Sequence, residues 1–231
     1  MASHESWYFL EHDRRPPAWN MACDEWLLSR AEWLARPVLR TYAWDRPSVS
    51  IGYFQVFPEN FPNVVRRPTG GALVVHDADL TFTVTLPPSH PWRRLGSVER
   101  YALIHERVAR VFERRGVSSS LAMKGSNETT TLKRHRDPSL CFAQHSRYDV
   151  IVHGVKVAGG AQRVTREGLL HQGSIQGGDH WRVSSDELRL AWESFGARFT
   201  SLHLAADEEE VVSGLAASKY STREWNHRVR A

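Results

Sequence analysis

The sequence predicts an α+β fold with mixed, largely antiparallel sheets flanked by helices. Short strand-like runs crowd between residues 38 and 86. Segments with helical periodicity stand before and after that block, and a hairpin pattern follows near residue 150. The order is therefore helix, many strands, helix, more strands, then helices, which is not the strict alternation of a parallel βαβ chain.

Each element has its own signal. Asn20 opens a helical pattern in which Met21, Trp26, Leu27, Leu28 and Leu34 fall on one broad face, after an extended entry at Pro16-Pro17. Val38–Trp44, Ser48–Gly52, Val64–Arg67 and Leu73–His76 read as short strands separated by Pro or Asn. In Leu80–Leu86, Leu80, Phe82, Val84 and Leu86 alternate with Thr81, Thr83 and Thr85, the pattern of a half-buried strand. Ser97 starts a helix carrying Tyr101, Ile104, Val108, Val111 and Phe112, and Gly116 stops it. Tyr148–Val152 and Val155–Ala158 form a hairpin around His153-Gly154. Ser184 and Glu187 fit a capping box, and Asp207 and Ser221 start two short helices.

Composition bounds the function. The chain has 231 residues, 30 Lys+Arg against 26 Asp+Glu, 12 His and a formal charge of +4. With 41% hydrophobic and 24% charged residues it is neither a disordered tail nor a collagenous or disulfide-built chain. No run approaches the ~20 apolar residues of a membrane span, and Met1–Glu11 has no basic and apolar signal-peptide pattern. Cys23 and Cys141 are too few for a disulfide framework, which points to a reducing cytoplasm. Lysine occurs only at positions 124, 133, 156 and 219, so a lysine set among small residues stands out.

Three stretches carry chemical potential. Arg66-Arg67-Pro68-Thr69-Gly70-Gly71-Ala72 ends one strand and runs through Leu73, Val74 and Val75 to His76-Asp77. The two glycines let the backbone approach a ligand, and the arginines supply donors. Gly154-Val155-Lys156-Val157-Ala158-Gly159-Gly160-Ala161 places a strand lysine before a run of small residues that leaves room beside its ammonium. Cys141, in Pro138-Ser139-Leu140-Cys141-Phe142, lies in a Pro-rich approach to the hairpin, whereas Cys23 sits in a helix pattern and reads as a small buried hydrophobe.

Together these stretches resemble the lipoate/biotin protein ligase catalytic-domain superfamily. Within it, the spacing of Cys141 and Lys156 is similar to that of octanoyl-acyl-carrier-protein:protein octanoyltransferases of the lipoate–protein ligase A-like type. Pro17–Glu25 and Gly52-Tyr53-Phe54-Gln55 resemble neighbouring segments of the same family, and the likeness runs from about Pro16 to Ile175.

The resemblance implies one catalytic domain over 1–231 and a two-step acyl transfer. Cys141 would take octanoyl from acyl carrier protein as a thioester. A lysine of a lipoyl-domain protein (glycine cleavage H protein or a 2-oxoacid dehydrogenase E2) would then accept it as an amide. Lys156 would hold Cys141 as thiolate: an ammonium about 4 Å away contributes up to roughly 4 kcal/mol at a surface-like dielectric. Arg67, Thr69, Gly70, Gly71, Ala72 and His76 would line the substrate site with Ala158, Gly159 and Gly160. Backbone near Gly159-Gly160 would hold the acyl carbonyl, and apolar strand residues including Leu73 and Val75 would line a slot for the chain. No cofactor or metal, nucleic acid or membrane is expected, and the protein would be a cytoplasmic monomer.

Departures and rivals follow. Ala72 and Gly160 stand where family members often carry Gly and Ser, and the order Leu170-His171-Gln172-Gly173-Ser174 moves the histidine to the other face of a strand, so His171 receives no catalytic role. An ATP-dependent lipoate–protein ligase is the alternative, although only a short helical tail follows Ile175. A Cys141–His145 pair and a zinc site from Cys141, His145 and His153 lack an orienting group or a known ligand spacing. A nucleic-acid face built on Arg107, Arg110, Arg114, Arg115 and Lys133–Arg136 lacks interleaved aromatic residues.

Overall fold

The protein was analysed as a computed structural model that describes residues 4–123, 146–177 and 181–228. Cys141, His145 and Lys133–Arg136 lie outside the described residues. The strands are β1 (Glu5–Arg15), β2 (Val38–Trp44), β3 (Ser48–Ile51), β4 (Val64–Arg66), β5 (Val74–His76), β6 (Leu80–Leu86), β7 (Ser119–Leu121), β8 (Val150–Val152), β9 (Val155–Val164), β10 (Leu169–Ile175) and β11 (Ala197–Ser201). The helices are α1 (Pro17–Leu34), α2 (Ser97–Arg114), α3 (Ser185–Glu193), α4 (Ala206–Leu215) and α5 (Arg223–Asn226).

Eight strands form one sheet in the order β11-β1-β2-β6-β10-β9-β8-β7, and β4-β3-β5 form a second. In the large sheet β1 runs parallel to β2 and β11, while the pairs from β2 through β7 are antiparallel. The mixed, largely antiparallel α+β expectation holds.

β6 shows why the sheet has two covered faces. Its Phe82, Val84 and Leu86 join the core packed under α2 and α3. Its Thr81, Thr83 and Thr85 are also buried, because α1 covers the opposite face and Asp24 accepts the Thr83 hydroxyl at 2.9 Å. The half-buried expectation for this strand fails for that reason: its polar side meets a helix and not water. A second core, including Leu10, Trp26, Leu27, Val38, Val212 and Tyr220, joins α1 and α4 to that face.

Other boundaries shift slightly. α1 begins at Pro17, not Asn20, since proline suits a first helical turn where its missing N–H costs nothing. β1 was not expected at all; its charged second half hides a strand whose Trp7, Phe9 and Leu10 are buried. The α2 span and the Ser184–Glu187 capping box are as read from sequence. The β8–β9 hairpin turns at His153 and Gly154, with φ of 49° and 75°. Cys23 is fully buried, and burial pushes its thiol up to about 12.

Candidate functional site

A small cavity of about 30 Å³ opens on the α1-covered face of the sheet. Its floor is a single cross-strand row: Tyr42 of β2 opposes Thr81 of β6, Thr81 opposes Ser174 of β10, and Ser174 opposes Gly159 of β9. Three of the four are small, so a hollow remains where larger side chains would fill the space between sheet and helix. Met21, Trp44 and Val74 supply apolar walls.

The glycine turn after β4 forms one rim. Gly71 has φ of 88° and lines the cavity, and its carbonyl lies under Gly52, where an added Cβ would sit 1.9 Å from that oxygen. Arg67 braces the turn: Nη2 donates to the Gly70 and Ala72 carbonyls at 2.8 and 3.0 Å, and Nη1 to the Ser50 carbonyl and hydroxyl, both at 2.8 Å. Thr69, fully buried, donates to Gln172 Oε1 at 2.7 Å, and Gln172 donates to Asp24 at 2.7 Å. Arg66 does not face a ligand; its guanidinium donates to the carbonyls of Gly52, Tyr53, Gln55, Trp225 and Asn226.

Lys156 borders the other rim. It is 6% exposed and pairs with Asp149 at 2.7 Å, so it is not the solvent-facing lysine that alternation alone allows. Asp149 also accepts the Tyr101 hydroxyl at 2.6 Å and the Ser146 N–H at 2.6 Å. An added Cβ on Gly159 would stand 2.8 Å from Lys156 Cε, so glycine clears the path of the lysine side chain. Because the ammonium shares its charge with Asp149, its field at any nearby thiolate is weaker than that of a lone ammonium.

The structure sorts the expected site residues. Arg67, Gly71, His76, Gly159 and Gly160 share the cavity, with Lys156 against Gly159. Gly70 and Ala72 take part through carbonyls that hold Arg67, and Thr69 acts through Gln172. Ala158 is packed in the α2–α3 core and Leu73 in a separate cluster with Val49 and Ile51. Val75 is 42% exposed. Leu73 and Val75 thus do not form the slot; Val74, between them, does. The Gly160 N–H donates to the Tyr101 hydroxyl at 2.9 Å, so it does not point at an acyl carbonyl.

His171 faces α2, near Tyr101 and His105, and burial pushes it down to about 3. A side chain at position 160 would meet His171 Nε2 at 2.5 Å, so glycine there and histidine at 171 depend on one another. Arg107, once part of a basic face, lies over the Trp92 and Phe195 rings, and Arg115 pairs with Glu187. Sequence reasoning missed Asp149, Tyr101, Gln172 and Ser50. The only trace of Asp149 was an acidic residue at the entry to the hairpin that carries Lys156.

The family model for the lipoyl protein ligase A/B catalytic domain matches residues 16–176. The chain belongs to this family. A relative from Bacillus subtilis, the octanoyltransferase LipM, is 31% identical, with 97% of this chain and 99% of that protein covered. Octanoyltransferase LipM of Halalkalibacterium halodurans is 35% identical over 74% of this chain; the chain spans 66% of that relative's length. A chain from the solved archaeal lipoylation system of Thermoplasma acidophilum, a bi-partite lipoate protein ligase and its E2 lipoyl domain, superposes with a TM-score of 0.74. At 21% identity, covering 99% of this chain and 98% of that one, it shares the fold.

Proposed function

We propose that this chain is an octanoyltransferase of protein lipoylation that moves octanoyl from acyl carrier protein to a lipoyl-domain lysine through a thioester on Cys141. Similarity to octanoyltransferase LipM along nearly the whole of both chains carries the reading. The character of the site supports it: Met21, Trp44 and Val74 give the hollow apolar walls, against which each buried methylene of an acyl chain would contribute about 0.8 kcal/mol.

In the first step the Cys141 thiolate attacks the donor thioester, and the carrier thiol leaves. In the second, the acceptor amine attacks the new thioester, the Cys141 sulfur leaves, and an amide remains. Lys156, anchored by Asp149, presents positive charge to the thiolate. Arg67 and the Gly70-Gly71 turn shape the rim where the acyl carbonyl sits. The enzyme acts as a cytoplasmic monomer formed of one catalytic domain.

Intact-mass analysis after mixing with octanoyl-acyl carrier protein, without ATP, tests the proposal. A single octanoyl adduct that disappears in Cys141→Ala is the expected result. ATP-dependent transfer of free lipoate that survives Cys141→Ala would establish the ligase instead.

A further inference from the structure

The surface beside the glycine turn carries a ladder of cations set over aromatic rings. Arg163 lies over the Tyr53 ring at 5.3 Å, and Arg228 over the same ring at 4.4 Å. Arg228 also lies over Trp225 at 4.8 Å, and Lys219 over Trp225 at 4.1 Å. Glu25 neutralises Lys219 at 2.6 Å. Arg163 and Arg228 keep their charge: their hydrogen bonds go to the Pro68 carbonyl and the Tyr53 hydroxyl, and no carboxylate pairs with either among the described residues.

The ladder is joined to the mouth of the cavity. The Tyr53 N–H donates to the Thr69 carbonyl at 2.8 Å, and Arg163 to the Pro68 carbonyl at 3.0 Å, so both hold the segment that leads into Gly70-Gly71. Gly71 lines the cavity, and a Cβ added there would meet Ala161, two residues before Arg163, at 3.4 Å. Directly after Tyr53 the chain sets Phe54 and Val56 in water, 74% and 78% exposed. Arginine and tyrosine beside open apolar side chains are the residues that carry protein–protein interfaces. A guanidinium held over a ring keeps its charge and N–H donors for carboxylate or phosphate, and has less freedom to lose when a partner binds.

The sign of the charge selects the partner. An acyl carrier protein is small and strongly acidic, and its acyl arm is tethered through a phosphodiester, so it brings negative charge to the mouth. The acceptor brings its target lysine, which two unneutralised arginines repel. We propose that Tyr53, Phe54, Val56, Arg163 and Arg228 form the docking face for the acyl-carrier-protein donor. The proposal rests on the octanoyltransferase reading above and adds to it the surface that receives the donor.

Loading from two donors separates docking from chemistry. Single-turnover loading is followed by intact mass with octanoyl-acyl carrier protein and with octanoyl-N-acetylcysteamine, a small thioester that has neither carrier surface nor phosphate. The double variant Arg163→Gln with Arg228→Gln is expected to raise the carrier concentration for half-maximal loading about tenfold, with the saturating rate within about twofold of native. Its loading from the small thioester stays within about twofold of native. Arg228→Gln alone, which leaves the Pro68 bond in place, and Phe54→Ser each raise the half-maximal carrier concentration about threefold. Going from about 50 to about 500 mM salt weakens binding of labelled carrier to the native chain about tenfold, and to the double variant less than about threefold. A native half-maximal carrier concentration in the double variant overturns the docking face. So does an equal loss with both donors, which marks damage to the glycine turn. Weakened binding of the lipoyl domain or of a single-stranded oligonucleotide, in place of the carrier, overturns it too. A native chain that takes octanoyl from neither donor overturns the transferase reading itself, and the docking face with it.

Discussion

Asp149 and Lys156 are 1% and 2% exposed at their side chains and 2.7 Å apart, so neither charge has water to fall back on. Removing one partner of such a pair leaves an uncompensated buried charge, which costs about 3–5 kcal/mol. Asp149→Asn is therefore expected to lower stability by about 3 kcal/mol in urea unfolding and to cut transfer at least 100-fold. The double variant Asp149→Asn with Lys156→Met should recover much of the stability, because no lone charge remains, and none of the activity. Recovery of both would mean that the lysine matters only for folding. The sequence picked out Lys156 through its rarity and its small neighbours, but a residue seven positions earlier carries no such mark. The hairpin turn folds the two together, and Tyr101 arrives from α2.

At the scale of elements, the small β4-β3-β5 sheet matters because it presents the glycine turn to the cavity. Gly52, just past β3, touches the turn directly: an added Cβ would be 1.9 Å from the Gly71 carbonyl oxygen, and backbone cannot swing aside as a side chain can. Gly52→Ala should displace the turn, weaken the Arg67 bonds to Gly70 and Ala72, and slow acyl loading more than tenfold. Circular dichroism should show secondary structure retained, and a loading rate within twofold of native would show that the turn tolerates the shift. The sequence correctly placed a strand at Leu73–His76, but Leu73 and Val75, the slot residues the resemblance implies, are not the ones that face the cavity. A strand of three residues bounded by a turn has too few positions for its face to be read without neighbours.

Across the whole molecule, several imidazoles are held uncharged, His105 and His171 buried and His12 half-buried. Burial pushes His171 and His12 each to about 3, and His105 well below its ordinary value. An unfolded chain protonates histidine near pH 6.5, so below that pH the unfolded state binds more protons than the folded one. Stability is expected in full above about pH 6.5 and to fall as pH drops toward 4.5, by on the order of 1 kcal/mol per pH unit for each such histidine. Urea midpoints measured between pH 7 and 4.5 should trace this loss. The slope should be shallower in His171→Gln. Carboxylates such as Glu187, which its Arg115 partner holds at about 2, titrate below this window and do not account for the slope.

The sequence by itself determined the element types from β2 through α2 and of the β8–β9 hairpin, the α+β class and the stretches that border the site. Those properties live in local signals: period-two alternation in Leu80–Leu86, helical spacing and a terminal glycine in Ser97–Gly116, and a small-residue run after Lys156. Tertiary structure alone decided which face of each strand mattered. Thr83 is buried because α1 lies over it, and Thr81 and Ser174 become part of a cavity floor because four strands align their residues in one row. It also joined Asp149 to Lys156 and Ser50 to His76, since hydrogen bonds between side chains on different elements depend on register and packing, which no single stretch of sequence encodes.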